Sequence, residues 1–104
     1  MSVDQVFEKL EQNFNAEAAK GLDLVFQFDI EDDKVYHLVI NDGTCKLVEG
    51  EHEDPSVTLI MNSETLKGIV SGETDGMQAF MAGQLRAEGD MMLATKLGEL
   101  FNMG

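Results

Sequence analysis

Two histidines, one cysteine and 20 acidic side chains are the groups in this chain that could do chemistry. Nucleophilic catalysis needs a nucleophile, a base and a group that orients the base, all brought together. Cys45 lies in TCKLVEG and His37 in VYHLVIN, two predicted neighbouring strands, so the topology allows them to meet. Neither stands at a strand-to-helix elbow or a helix N-terminus, where a thiol is activated. Cys45 reads instead as a small sheet residue. The stretch DIEDDK sets Asp29, Glu31 and Asp33 at alternating positions, like the start of a calcium loop. Lys34 stands where that loop needs glycine, and Ile40 where it needs a bidentate glutamate. The second acidic run, EGEHED, has one histidine, His52, and no partner at zinc-ligand spacing. The glycines form neither G-x-G-x-x-G nor Gly-Lys-Ser/Thr, so there is no phosphate cradle. The chain is therefore expected to be no enzyme and to hold no metal and no cofactor.

Charge narrows the partners. Twenty acids against seven bases give a net charge of −13. Phosphate backbones repel such a surface, as do anionic bilayers, so neither nucleic acid nor stable membrane anchoring is expected. The acidity reads as solubility. At 104 residues, 43% hydrophobic and 26% charged, the chain is expected to form a single globular domain over residues 1–104. A lone cysteine rules out an intramolecular disulfide and fits a reducing compartment. The opening MSVDQVFEKL lacks a basic segment followed by an apolar run, and no apolar run nears the about 20 residues that span a bilayer. A cytoplasmic protein is expected.

The elements that must position these groups follow from spacing. Ser2 with Gln5 makes a capping box, and Val3, Val6, Phe7, Leu10 and Phe14 recur at helical intervals, which predicts a helix over residues 3–14. Asn15 can stop it and cap a short second turn through Lys20. The period then changes to two. Leu22, Leu24, Phe26, Phe28 and Ile30 alternate with Asp23, Val25, Gln27 and Asp29, as in a half-buried strand. VYHLVIN, TCKLVEG and SVTLIMN follow as three more strands, with Asp42-Gly43 as a hairpin turn. These four strands read as antiparallel neighbours. Helical patterns return after Asn62 and after Thr74 or Asp75, ending near Gly72 and Gly83. Leu85, Ala87 and Gly89 make a short fifth strand, and Asp90 caps a last helix carrying Leu93, Ala94, Leu97, Leu100 and Phe101. The order ααββββααβα gives an α+β layer architecture.

Methionine collects at the C-terminal end. Met77, Met81, Met91, Met92 and Met103 fall in the last 28 positions, near Phe80 and Phe101. Methionine is flexible and polarizable, and it fits irregular or changing apolar surfaces. Gly68, Gly76 and Gly98 lie inside predicted helices, where each costs about 1 kcal/mol relative to alanine.

The stretch DGMQAFMAGQLRAEGDMMLATKLGELF, residues 75–101, resembles the C-terminal signature of the sterol carrier protein 2 (sterol-transfer) domain family. Phe80-Met81-Ala82-Gly83 matches its "Phe-Met-x-Gly" phrase, Gly89-Asp90 its exit from the short strand, and Leu93-Ala94-Thr95-Lys96-Leu97 its continuation. Pro55, Val57 and Leu59 match a Pro-x-Val-x-Leu phrase, and the order of elements agrees over the chain. The resemblance implies a five-stranded, mostly antiparallel mixed sheet covered by helices, with an apolar tunnel between the layers. It implies binding and carriage of hydrophobic lipids (fatty acid, acyl-CoA, isoprenoid or sterol-like) without catalysis. Carried onto this chain, the implied lining is Met77, Phe80 and Met81 on one helix, Leu93, Leu97, Leu100 and Phe101 on the last, and Leu66 and Val70 beside them. The chain departs from the family in lacking the peroxisomal tripeptide of many eukaryotic members and in its acidity. It therefore looks like a stand-alone bacterial-type member, for which acyl or isoprenoid chains fit better than sterol. An alternative is an accessory module whose Met/Phe surface docks a lipid-modifying enzyme.

Overall fold

The computed structural model describes residues 2–90, 92, 93, 96, 100 and 101. The first helix, α1 (Val3–Gln12), begins on the capping box: Ser2 Oγ accepts from the Gln5 N–H, and Gln5 Oε1 accepts from the Ser2 N–H. Its apolar stripe buries Val3, Val6, Phe7 and Leu10. The helix stops two residues short of the predicted end. Phe14 leaves it to bridge Phe101, with ring centroids 5.4 Å apart, while the Asn15 N–H donates to Leu100 O at 2.7 Å. Pairing with a distant segment thus replaces the last helical turn. Residues 16–20 form turns and not a second helix.

The strands are β1 (Asp23–Ile30), β2 (Val35–Asn41), β3 (Thr44–Glu49), β4 (Val57–Met61) and β5 (Arg86–Gly89). Asp42 and Gly43 both take positive φ, 43° and 83°, in the tight turn that joins β2 to β3. The sheet order is β3-β2-β1-β4-β5. This corrects the expectation of four antiparallel neighbours, because β4 lies against β1 and runs parallel to it. The reason is the segment 50–56, which is no hairpin. It crosses the face of the sheet, with the Gly50 N–H on Val35 O and the Ser56 N–H on Val25 O. Three strand spacings are about 14 Å, and seven extended residues reach about 23 Å, so a chain this short suffices.

Register puts Phe26, Phe28 and Ile30 of β1 beside Val57, Leu59 and Met61 of β4, and opposite Leu38 and Tyr36 of β2. All are buried on one face, and α1 lies over them. Phe7 meets Phe28 edge to face at 5.3 Å and Tyr36 at 4.8 Å. Side chains of this size each contribute about 1.5–3 kcal/mol by burial.

Two more helices flank the core. In α2 (Ser63–Ser71), Asn62 Oδ1 caps the Thr65 N–H, Gly72 closes the end at φ 84°, and Leu66 and Val70 point inward. In α3 (Gly76–Met81), Asp75 caps the start and Ala79 is the buried residue. Gly68 allows the chain to fold back between them. A Cβ there would stand 2.5 Å from Thr74 Oγ1, and the Thr74 N–H donates to Gly68 O at 3.0 Å. The predicted last helix falls largely outside the described residues. Its start is visible in Asp90, whose Oδ1 accepts from the Met92 N–H.

Candidate functional site

The polar candidates separate in space. His37 and Ile40 lie on opposite faces of β2, and Cys45 pairs with Ile40. Cys45 therefore belongs to the helix-covered side and His37 to the other. Burial pushes the Cys45 thiol up to about 12, with the Glu11 carboxylate adding to it. A thiolate is the reactive form, so this side chain is chemically quiet.

The acids of the β1–β2 turn do not converge on a common point. Glu31 pairs with Arg86 at 3.0 Å, and Asp33 Oδ1 accepts from the Tyr36 hydroxyl. Asp32 takes two hydrogen bonds from Ser63, from its N–H at 2.7 Å and from its hydroxyl at 2.6 Å. Those bonds hold the Asp32 carboxyl below the usual carboxylate range. The result is a clamp from the hairpin turn to the start of α2. Among the described residues, no group of three or more His, Cys, Asp or Glu side chains is arranged to hold a metal.

The apolar candidates divide into an inner and an outer set. Leu66 and Val70 of α2 are buried against the sheet with Leu100 and Phe101, and Leu93 is half-buried on the same core. Met77, Phe80 and Met81 share one face of α3, at i, i+3 and i+4. That face looks outward: Met77 is 57% exposed, Phe80 39% and Met81 80%. Leu97 lies outside the described residues, as do Met91, Ala94, Gly98 and Met103. The structure thus brings Leu66, Val70, Leu100 and Phe101 together and sets the α3 triad apart from them. Helical spacing found the triad, but spacing alone does not say which stripe of a short helix turns inward. The signal for that was Ala79, the buried residue of α3, whose carbonyl accepts from the Gln84 and Leu85 N–H groups.

The geometry, a mixed five-stranded sheet with helices on one face, is matched by the comparisons with known proteins. The family model for the SCP-2 sterol transfer family matches residues 4–102. The chain belongs to that family. Among curated proteins, this family member is 28% identical to hydroxysteroid dehydrogenase-like protein 2 of Bos taurus, over 97% of the chain and 25% of that protein. The chain spans about a quarter of the length of the curated relatives it matches. Two solved structures share its fold. The solution structure of palmitated SCP2L2 from Aedes aegypti superposes with a TM-score of 0.81 at 23% identity, covering 95% of this chain and 93% of that one. The inverting sec-alkylsulfatase Pisa1 from Pseudomonas sp. gives 0.87 at 21% identity, covering 97% of this chain and 16% of the enzyme. The same sterol-transfer fold therefore occurs both in a chain of this size and inside much longer enzymes. No helix among the described residues is long and apolar enough to cross a membrane.

Proposed function

We propose that residues 1–104 act as one non-catalytic, cytoplasmic unit that binds and carries a hydrophobic lipid: a fatty acid, acyl-CoA, isoprenoid or sterol-like molecule. The ligand lies in an apolar tunnel between the sheet and the helices. One observation supports this above the others. Leu66, Val70, Leu100 and Phe101 belong to one buried apolar core with half-buried Leu93 packed against it, and Met77, Phe80 and Met81 leave a separate apolar face exposed on α3. An acyl chain that enters from the α3 side meets flexible methionines first and aromatic and branched residues deeper in. Each buried methylene contributes about 0.8 kcal/mol, before the cost of ordering the chain. The palmitate on the Aedes aegypti relative supports a single long acyl chain as the ligand class.

The test is a titration with palmitate, read by displacement of a fluorescent fatty acid. Wild type is expected to bind, and Met81→Asp to bind at least tenfold more weakly with an unchanged far-UV spectrum. Equal affinity in both would place the site away from α3.

A second reading has its own observation. The outward triad on α3 is an apolar face of the kind that docks a partner, and the relatives carry this fold within larger enzymes. In that reading the chain is an accessory module for a lipid-modifying enzyme, and the α3 variants lose the partner while palmitate binding stays.

A further inference from the structure

Apolar exposure in this molecule is concentrated in one place. Among the described residues the exposed large apolar side chains are Met77, Phe80, Met81 and Met92, and the first three stand on α3. The stretch that carries them, GMQAFMAGQL, residues 76–85, is also the longest in the chain without Asp, Glu, Lys or Arg. The next longest, residues 55–63, holds β4, and the burial of Val57, Leu59 and Met61 accounts for it. Burial does not account for residues 76–85. Ala79 is buried and Gly76 and Leu85 are half-buried, but the other residues of the stretch are exposed. In a chain with 20 acids and seven bases, a surface segment this long without charge fits a counterpart that also carries no net charge.

The backbone of the segment is closed on itself. The Met77 N–H donates to Asp75 Oδ1 at 3.0 Å, and the Ala79 N–H to Asp75 O at 2.9 Å. The Ala82 N–H donates to Gln78 O and the Gly83 N–H to Phe80 O, while those of Gln84 and Leu85 both end on Ala79 O. Side chains add little polarity: the amides of Gln78 and Gln84 are the only polar ones between Gly76 and Leu85. A protein interface of ordinary size carries about ten direct hydrogen bonds, and this face has few groups to make them. A lipid interface asks for the reverse. It takes apolar side chains, and it tolerates backbone whose polar groups are already satisfied.

We infer that α3 and the turn after it, residues 76–85, form an interfacial tip that touches a zwitterionic bilayer and enters it with Met77, Phe80 and Met81. The inference rests on the lipid-carrier reading, in which the cargo is collected from a lipid surface. Charge selects the surface. Glu73 and Asp75 stand just before the tip and Glu88 just after it, while Arg86 is paired with Glu31 at 3.0 Å. The six residues of α3 rise about 9 Å, close to the Debye length of about 8–10 Å, so these acids feel the headgroups. Phosphocholine headgroups have no net charge and admit the tip. Anionic headgroups repel the acids behind it. Salt screens that repulsion, so it strengthens contact with an anionic bilayer, the opposite of its effect on a polybasic segment.

The experiment is NMR on the full chain with ¹³C-labelled methionine methyls, using phosphatidylcholine nanodiscs that carry a nitroxide on the acyl chain. The Met77 and Met81 signals are expected to broaden at least tenfold more than that of Met61, which is 2% exposed. Phe80→Ser leaves both methionines open to random collision, yet it should lower their broadening at least fivefold, and Met81→Asp should do the same at Met77. Replacing part of the phosphatidylcholine with phosphatidylglycerol should weaken the contact at low salt, and added salt should restore it. Met77 and Met81 signals that ignore the discs, broadening that survives both variants, or stronger contact with phosphatidylglycerol at low salt would each overturn the tip. If a variant does not fold, the wild-type disc and salt series decides alone. Palmitate binding by the same samples separates the two readings. A wild type that binds palmitate and ignores the discs keeps the carrier and loses the tip, leaving the face to a partner protein. One that enters the discs and binds no palmitate keeps the tip and loses the carrier.

Discussion

Helices α1 and α3 carry the same kind of message and meet opposite fates. Both have apolar side chains at helical spacing. The stripe of α1, Val3, Val6, Phe7 and Leu10, is wholly buried on the sheet. That of α3, Met77, Phe80 and Met81, faces away from the core, and only Ala79 is buried. An apolar stripe states that a surface needs cover; it does not state that the cover lies within the same chain. The residue types differ in the same sense. α1 presents branched and aromatic side chains that fit one arrangement, whereas α3 presents methionines, which adapt to several.

The largest effect belongs to α1. Phe7→Ala removes a ring in contact with both Phe28 and Tyr36, and it should lower stability by about 3–5 kcal/mol in urea denaturation. A loss under about 1 kcal/mol would erase the contrast between the helices.

Next is the chemistry beneath α1. With its thiol pushed up to about 12 by burial and Glu11, Cys45 should be alkylated by iodoacetamide at neutral pH about a hundredfold more slowly than an open cysteine. Rapid labelling would mean that α1 lifts from β3.

Asp32 reports on the α2 side. Its pKa is depressed in the folded state by Ser63, so its contribution is present above the unfolded value and lost as pH falls through the folded one. Asp32→Asn should therefore lower the midpoint of thermal unfolding at neutral pH. The difference from wild type should shrink below the usual carboxylate range, at the acid end of a calorimetric series. A pH-independent difference would assign the effect to lost hydrogen bonds without the charge.

The smallest change in stability is expected on α3. Met77→Ser with Met81→Ser should stay within about 0.5 kcal/mol for each substitution, measured in the same urea series as Phe7→Ala. A cooperative loss of several kcal/mol would show that α3 shares the fate of α1.

The sequence made the local devices legible. Ser2-x-x-Gln5 gave the start of α1, Asp42-Gly43 the hairpin, and strict alternation from Leu22 to Ile30 the strand at the centre of the sheet. Family membership was legible in the stretch from Asp75 to Phe101, and the family model confirms it over residues 4–102. What could not be read depended on partners distant in the chain. The parallel placement of β4 rests on Gly50 and Ser56 bonding to Val35 and Val25 across the sheet, although Asp54-Pro55 reads locally as a turn. The early end of α1 rests on Phe14 finding Phe101. The implied lining met the same limit: the resemblance put Met77, Phe80 and Met81 on one helix, while the structure buries Ala79 there and leaves all three exposed.

The most direct measurement is native mass spectrometry of the protein purified without detergent, with organic extraction of whatever is bound and a parallel sample carrying Met77→Ser, Phe80→Ser and Met81→Ser. The lipid-carrier account expects a near-stoichiometric acyl or isoprenoid species on the wild type and its loss from the triple variant. A wild-type protein that is free of lipid, and stays so with added palmitate, acyl-CoA and isoprenoids, would contradict it.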